Sequence, residues 1–309
     1  MGASMTTGSM PDFYAGLLAN LDYFTWMKYN IPIEMRSLFN VRKGHGPFIN
    51  TTTVSGLGAV PVKTEDQPTS YGQFYQGFDK KFTPVTYSLG YSVSKEAVDR
   101  NEYFKIANSA KALDRSFKAT EEVYLATIIN NGFDTITTGD GKYLFATDHL
   151  SEGPGVGSRK NTLSTSADLS VVSYQIAIND YMSLTDGRGL LLDLRPGRLV
   201  VPPENAWLGY EITQSQGRSD TANRADNAFK MNPYTKGISV EIFRYLTDDD
   251  GWGLWPATND DHDLAIYEWE AFNTSACVDF DTDALKYKGR KGYTFGAAMF
   301  EGLFYVPGA

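Results

Sequence analysis

The sequence predicts a mixed α+β protein, and three observations carry that prediction. Aromatic residues occupy 14% of the 309 positions, with 19 Tyr and 18 Phe, and such side chains sit well on pleated, half-buried surfaces. The 29 Gly and 13 Pro call for many turns rather than a helical bundle. Against this sheet-rich background, a single long apolar stripe with helical spacing runs from about Lys95 to Asn131. The length suits about two compact units, and 42% hydrophobic residues supply ample core.

Phe13 to Phe39 forms an arm rich in large apolar groups, among them Leu17, Leu18, Phe24, Trp26, Met27, Leu38 and Phe39, and Pro32 interrupts any helix there. Such an arm must pack on its own body or on a neighbour. From Arg42 to Tyr91 the texture changes to Gly, Pro, Thr and Ser. The run Thr51 to Pro68, with Gly56, Gly58, Lys63, Glu65 and Asp66, is too poor in apolar residues to fold on itself. Val85 to Val93 alternates, with Val85, Tyr87, Leu89, Tyr91 and Val93 in one phase, as a strand with one buried side does. The region reads as a long two-stranded excursion that returns to the body. An isolated hairpin is marginal in water, so this projection points to a partner.

In the stripe that follows, Tyr103, Ile106, Ala110, Leu113, Phe117, Thr120, Tyr124 and Ile128 recur at three- and four-residue steps, and Gly132 supplies the stop. A continuous helix from Lys95 to Asn131 would span about 55 Å at ~1.5 Å per residue; Asp99–Asn101 is a candidate break. Gly139-Asp140-Gly141 reads as a tight turn, and Ser151 to Ser164 as a loop. A helix is expected from about Asp168 to Leu184, a strand over Arg198–Val201, and a helix opened by Pro202-Pro203. Gln216 to Asn227 reads as a polar surface loop. Strands are expected around Ile238–Leu246, Leu264–Trp269 and Tyr293–Val306.

Charge and motifs narrow the function. Lys plus Arg (28) against Asp plus Glu (37) gives a net charge of −9, which argues against a phosphate-neutralising nucleic-acid binder. One cysteine, Cys277, excludes a disulfide framework and a cysteine-rich zinc site. No stretch approaches the ~20 apolar residues of a spanning helix, so no membrane partner is expected. His45, His149 and His262 are widely spaced and read as isolated hydrogen-bonding histidines. Gly139-Asp140-Gly141-Lys142 lacks the spacer and hydroxyl of a phosphate loop, and no serine stands in a nucleophile elbow. Asp279, Asp281 and Asp283 alternate as in a calcium loop, but Ala284 and Arg290 stand where Gly and Glu are needed. The runs Asp248–Asp250 and Asp260–Asp263 read as solvated turns. Glu268 and Glu270 would lie together near the outer face of a strand, a pair that could serve a glycosidase or simply solubility. No catalytic residue, cofactor or metal is expected.

The order of these features, with "LGYSVSKEAVDRNEYFKI" (Leu89–Ile106), "GDGKYLFATDHL" (Gly139–Leu150), "RLVVPPENAW" (Arg198–Trp207) and "RKGYTFGAAMFEGLFYV" (Arg290–Val306), resembles a tailed-phage major capsid protein of the Mu-like major head subunit type. The resemblance implies the Hong Kong 97-type capsid fold. Its parts would be an N-terminal arm (1–46), an extended β-hairpin loop (47–92), a peripheral domain with the long spine helix and β-sheet (93–165 and 263–309) and an axial α/β domain (166–262). It further implies self-assembly into hexamers and pentamers of an icosahedral shell around double-stranded DNA, bound without sequence specificity. Scaffolding, portal and decoration proteins would be partners; scaffolding would be a separate protein or a segment removed before this chain's first residue. The chain would reside in the virion after assembly in the host cytoplasm. Trp26, Met27, Gly56, Gly58, Lys63 and Glu65 are the expected inter-subunit contacts. Lys63 lies on the loop, but no signature identifies a partner Asn, and cross-linking is not expected. Two alternatives stand beside this reading: an encapsulin-like protein nanocompartment, and a secreted carbohydrate-active enzyme or binding module using Trp252 or Trp255.

Overall fold

The structure, a computed structural model, describes residues 34–96, 103–153, 156–215 and 235–309. Trp26 and Met27, the candidate break at Asp99–Asn101 and the polar loop from Gln216 lie outside them. The described chain opens with a 3-10 turn, Met35–Leu38, whose Met35 and Leu38 are wholly buried. The inner end of the apolar arm therefore packs on the chain's own body. Strand β1 (Asn40–Lys43) follows, and β2 (Ile49–Val54) and β3 (Gln76–Phe82) form an antiparallel hairpin. Next, β4 (Val85–Val93) occupies the span where the alternation predicted a strand. It pairs with a C-terminal strand rather than with the hairpin, so the two-stranded excursion consists of β2 and β3. β4 is a sheet-edge strand, and its apolar row is only partly covered: Tyr87, Tyr91 and Val93 pack inward while Val85 and Leu89 stay exposed.

Helix α1 (Tyr103–Asn130) is the predicted spine. Ala110, Leu113, Phe117 and Ile128 are buried as expected, but Tyr124 is exposed. Beyond Phe117 the buried stripe moves to Glu121, Glu122, Leu125, Ala126 and Ile129, because the second half of the helix faces the 3-10 turn and the centre of the sheet. Gly132 ends the spine by allowing close approach: an added Cβ would lie 2.5 Å from the Phe145 ring. Helix α2 (Val171–Met182) starts with a reciprocal cap between Ser170 and Ser173. Then come β5 (Pro196–Val201), α3 (Ala206–Gln214), β6 (Ser239–Ile242), the wholly buried β7 (Trp252–Pro256), β8 (Ala265–Val278), β9 (Leu285–Gly296) and β10 (Phe304–Val306). The strand expected over Tyr293–Val306 is thus two strands. Gly302, with φ +82°, turns the chain between them at a point where a Cβ would meet the Asp261 carbonyl at 2.3 Å.

The strands make two four-stranded sheets and the separate hairpin. One sheet runs β1-β8-β9-β4 and the other β10-β7-β5-β6; the β1–β8 and β5–β6 pairs are parallel and the rest antiparallel. The spine packs on the first sheet through Leu113, Phe117 and Tyr287. Helix α2 covers the second through Tyr174, Ile178 and Tyr181. Where the sheets meet, Leu125 and Ile128 of the spine join Val200, Trp255, Ile266, Tyr293 and Tyr305 in one core. The two sheets therefore share their hydrophobic centre.

His262 sits near this junction and sets a pH dependence. Its Nδ1 accepts the Leu264 N–H at 3.2 Å. Burial, with Arg198 and Arg42 nearby and Asp261 opposing them, pushes its imidazole down to about 4. An unfolded histidine titrates near ~6.5. As the pH falls from about 6.5 to about 4, the unfolded chain takes up a proton that the folded chain refuses, so stability declines across that window. The loss reaches at most about 3 kcal/mol. Denaturant titrations at pH 7 and pH 4 should show this slope in the native protein and a flatter one in His262→Gln.

Candidate assembly interface

The β2–β3 hairpin is fixed at its base. Lys80 Nζ donates to the carbonyl and hydroxyl of Thr137, both at 3.0 Å, and Phe78 N–H donates to Thr53 Oγ1 at 2.7 Å. Ser55 pairs with Tyr75, and the Arg188 guanidinium lies 5.2 Å from the Tyr75 ring centre. Gly56 and Gly58 stand beside Asp186 and Arg188, where an added Cβ would have neighbours at 3.3 and 3.6 Å. Beyond them the chain leaves the body. All sixteen residues from Ala59 to Phe74 are exposed, Val60 and Val62 at 93% and Tyr71 at 90%. Lys63 and Glu65 lie on this tip, next to a turn in which Asp66 has φ +63°. Large apolar side chains on an outstretched loop are the mark of an interaction site. Two further apolar projections went unnoticed in the sequence: Trp207 on α3 at 85% and Phe280 at the tip of the β8–β9 hairpin at 96%. Both follow turn-forming residues and break no periodicity, so only their exposure reveals them.

A buried polar clasp supports the base of the hairpin from below. Asp140 accepts from Thr138 Oγ1 and Lys142 N–H through one carboxylate oxygen, and meets His149 Nδ1 at 2.8 Å through the other. Burial pushes this carboxyl up, but hydrogen bonds from His149, Thr138 and the Lys142 backbone outweigh it and hold Asp140 well below the usual carboxylate range. His149 is fully buried, meets Asn161 Oδ1 at 3.2 Å and stacks on Phe300 with ring centres 3.7 Å apart. Arg159 reaches Glu301 at 2.5 Å and the Thr185 carbonyl at 3.1 Å. The Asp140–His149 stretch is therefore a turn locked by its own first and last residues, with Leu144 and Phe145 driven into the core.

A second cluster joins the arm, the spine and the sheet. Lys291 Nζ lies 2.9 Å from both oxygens of Glu121 and 3.3 Å from Glu268, and Arg36 bridges the same two carboxylates at 2.6 and 2.7 Å. Glu121 and Lys291 are almost wholly buried. Sequence reasoning missed both. The signal was there: Glu121 is four residues from Phe117 and from Leu125, and Lys291 is in phase with Leu285, Tyr287 and Gly289.

The enzyme-like patterns dissolve into structure. A bulge between Glu268 and Glu270 separates the expected outer-face pair: Glu268 turns to Arg36 and Lys291, while Glu270 takes Arg290 at 2.8 Å. Trp252 and Trp255 are fully buried and offer no face to a sugar. Asp279 holds Thr282 Oγ1 at 2.7 Å within the β8–β9 turn, and Asp248 Oδ2 accepts the Gly308 N–H at 3.1 Å. Among the described residues, no three His, Cys, Asp or Glu gather as a metal site requires.

Solved structures with the same arrangement are shells. The capsid of the Myoviridae phage XM1 matches with a TM-score of 0.52 at 14% identity, over 89% of this chain and 91% of that one. The capsid of an empty GTA particle gives 0.55 at 12% identity, over 90% of each chain. A virus-like particle from Pyrococcus furiosus gives 0.53 at 9%, over 93% of this chain and 97% of that one. No curated protein matches by sequence. The spine, the two sheets and the outstretched hairpin define a shell subunit of the Hong Kong 97-type fold. A profile of the family described as phage capsid protein matches residues 77–306, and the chain belongs to that family. It is a major capsid protein that self-associates into an icosahedral shell, and its place is the virion.

Proposed function

We propose that the chain is the major head subunit of a tailed phage of the Mu-like type, building hexamers and pentamers around double-stranded DNA. In this reading the arm is 1–46, the extended loop starts at 47 and is carried by β2 and β3, with β4 returning it into the sheet of the peripheral domain (93–165 with 263–309), and the axial domain is 166–262. The loop crosses a neighbouring subunit through Gly56, Gly58, Lys63 and Glu65, while Trp26 and Met27 add arm contacts. Axial domains meet around each capsomer centre, repeating a heterologous contact through closing symmetry. Scaffolding, portal and decoration proteins act with it during assembly in the host cytoplasm. The observation that carries this reading is the exposed tip from Ala59 to Phe74, which this chain leaves uncovered. The net charge of −9 suits a wall that does not grip its packaged polyanion.

Co-expression with the scaffolding protein, followed by sedimentation and electron microscopy, tests it. Megadalton shells are expected, and the complete particle should contain double-stranded DNA. Shells loaded with an enzyme instead would favour the nanocompartment, and a chain that stays monomeric at high concentration would count against both.

A further inference from the structure

The edge of a sheet can recruit a strand from another chain, and folded proteins ordinarily blunt their edges with charge, proline, a bulge or short length. Three of the four edges of the two sheets do so. β1 is four residues long and carries Arg42 and Lys43, β6 is four residues long and carries Glu241, and β10 is three residues long and buried. β4 is different. It runs for nine residues, VTYSLGYSV, without a charge or a proline, and it pairs with β9 residue for residue without a bulge. Among the described strands, β9 is its one neighbour. Val85 and Leu89 are exposed along it at 48% and 50%. Tyr124 of the spine, also exposed, lies against Tyr87 with ring centres 5.2 Å apart and extends the apolar edge.

The strand is also complementary to itself. Laid antiparallel on a second β4 with Leu89 on the axis, it sets Val85 opposite Val93, Tyr87 opposite Tyr91 and Leu89 opposite its own copy. On the other face Thr86 meets Ser92 and Ser88 meets Gly90. Cross-strand pairs of this kind are stabilising, and no like charges face each other. Heterologous contacts close a ring into a capsomer, but an icosahedral shell also has two-fold axes, where identical surfaces meet. We propose that β4 of one subunit pairs antiparallel with β4 of a second copy about such an axis. The two spine sheets then join into one of eight strands, an ordinary size for a sheet. This contact links capsomers to one another. It needs only that copies of the chain associate, and it is independent of where the hairpin tip binds.

Disulfide formation in assembled shells reads the register directly, in the full chain with Cys277→Ser as background. Leu89→Cys should give a two-chain species under denaturing conditions after mild oxidation, since directly opposed strand residues fall within bridging distance. Val85→Cys and Val93→Cys chains should link when co-assembled and not when each is assembled alone, because the pairing holds two copies of Val85 about 27 Å apart at ~3.4 Å per residue. Shells that form without these links, or in which Val85→Cys links to itself, overturn the pairing and leave the shell reading standing. A chain that stays monomeric before any cysteine is introduced overturns both. As a second measurement, Leu89→Lys sets two ammonium groups against each other at the axis. It should raise the concentration needed for assembly by about tenfold or more with the subunit Tm nearly unchanged, and adding Leu89→Glu chains should recover assembly. Leu89→Lys chains that assemble like the native protein would also overturn the pairing.

Discussion

Replacing Val60, Val62, Tyr71 and Phe74 together with serine should abolish shell formation while leaving the subunit folded. All four side chains are exposed on the hairpin tip, so their loss removes little from the monomer. Substitutions at such positions usually shift stability by no more than about 0.5 kcal/mol each. On the proposed reading the shell buries the same groups against a neighbour, and each apolar side chain withdrawn from water contributes about 1.5–3 kcal/mol. Four of them at the lower figure give about 6 kcal/mol per subunit, or roughly a 10⁴-fold rise in the concentration needed to assemble. Sedimentation should show soluble subunits or small oligomers where the native chain is fully assembled, with circular dichroism and Tm nearly unchanged. Normal shells from this variant would show that the tip is not the contact.

The second large effect lies inside the molecule. Lys291→Met leaves Glu121 buried with only Arg36 among the charged partners named above. Removing one member of a buried ion cluster commonly costs about 3–5 kcal/mol, because the remaining charge cannot regain its water. Thermal unfolding of the isolated subunit should fall by about 10 °C. Changing Glu121→Leu in the same chain should restore much of that loss, since two apolar groups fill the site without a stranded charge. A double variant as unstable as the sum of its parts would show that Glu121 and Lys291 act separately.

The parts of the fold that were legible in the sequence are those where one periodicity operates without interruption. Val85–Val93 alternates throughout and is a strand over that whole span. The spine stripe is equally plain until Phe117, after which the buried face rotates to admit Glu121 and Glu122, and a rule that seeks only apolar residues loses it there. β9 stayed hidden at its start because Leu285–Gly292 is rich in Lys and Gly, which are poor in strands. β7 is five residues buried on all sides, and without alternation nothing separates it from a loop. The hairpin tip was recognisable for the opposite reason, a lack of core-forming residues. In the buried charge cluster the phase of Glu121 and Lys291 marked them for burial, but their pairing was not legible, because the four members come from residues 36, 121, 268 and 291 and meet only through tertiary structure.

The way the chain closes bears on its synthesis. The two middle strands of the spine sheet come from residues 265–296, and one edge of the second sheet is Phe304–Val306, whereas the hairpin and the spine lie before residue 131. Each layer therefore waits for segments made long after the hairpin and the spine. At about 5–20 residues per second, a ribosome-bound chain displays its earlier segments for tens of seconds without the scaffold that aims them. The hairpin tip is thus displayed before the sheets that aim it exist, and a subunit can first join a particle only once β9 and β10 have closed them.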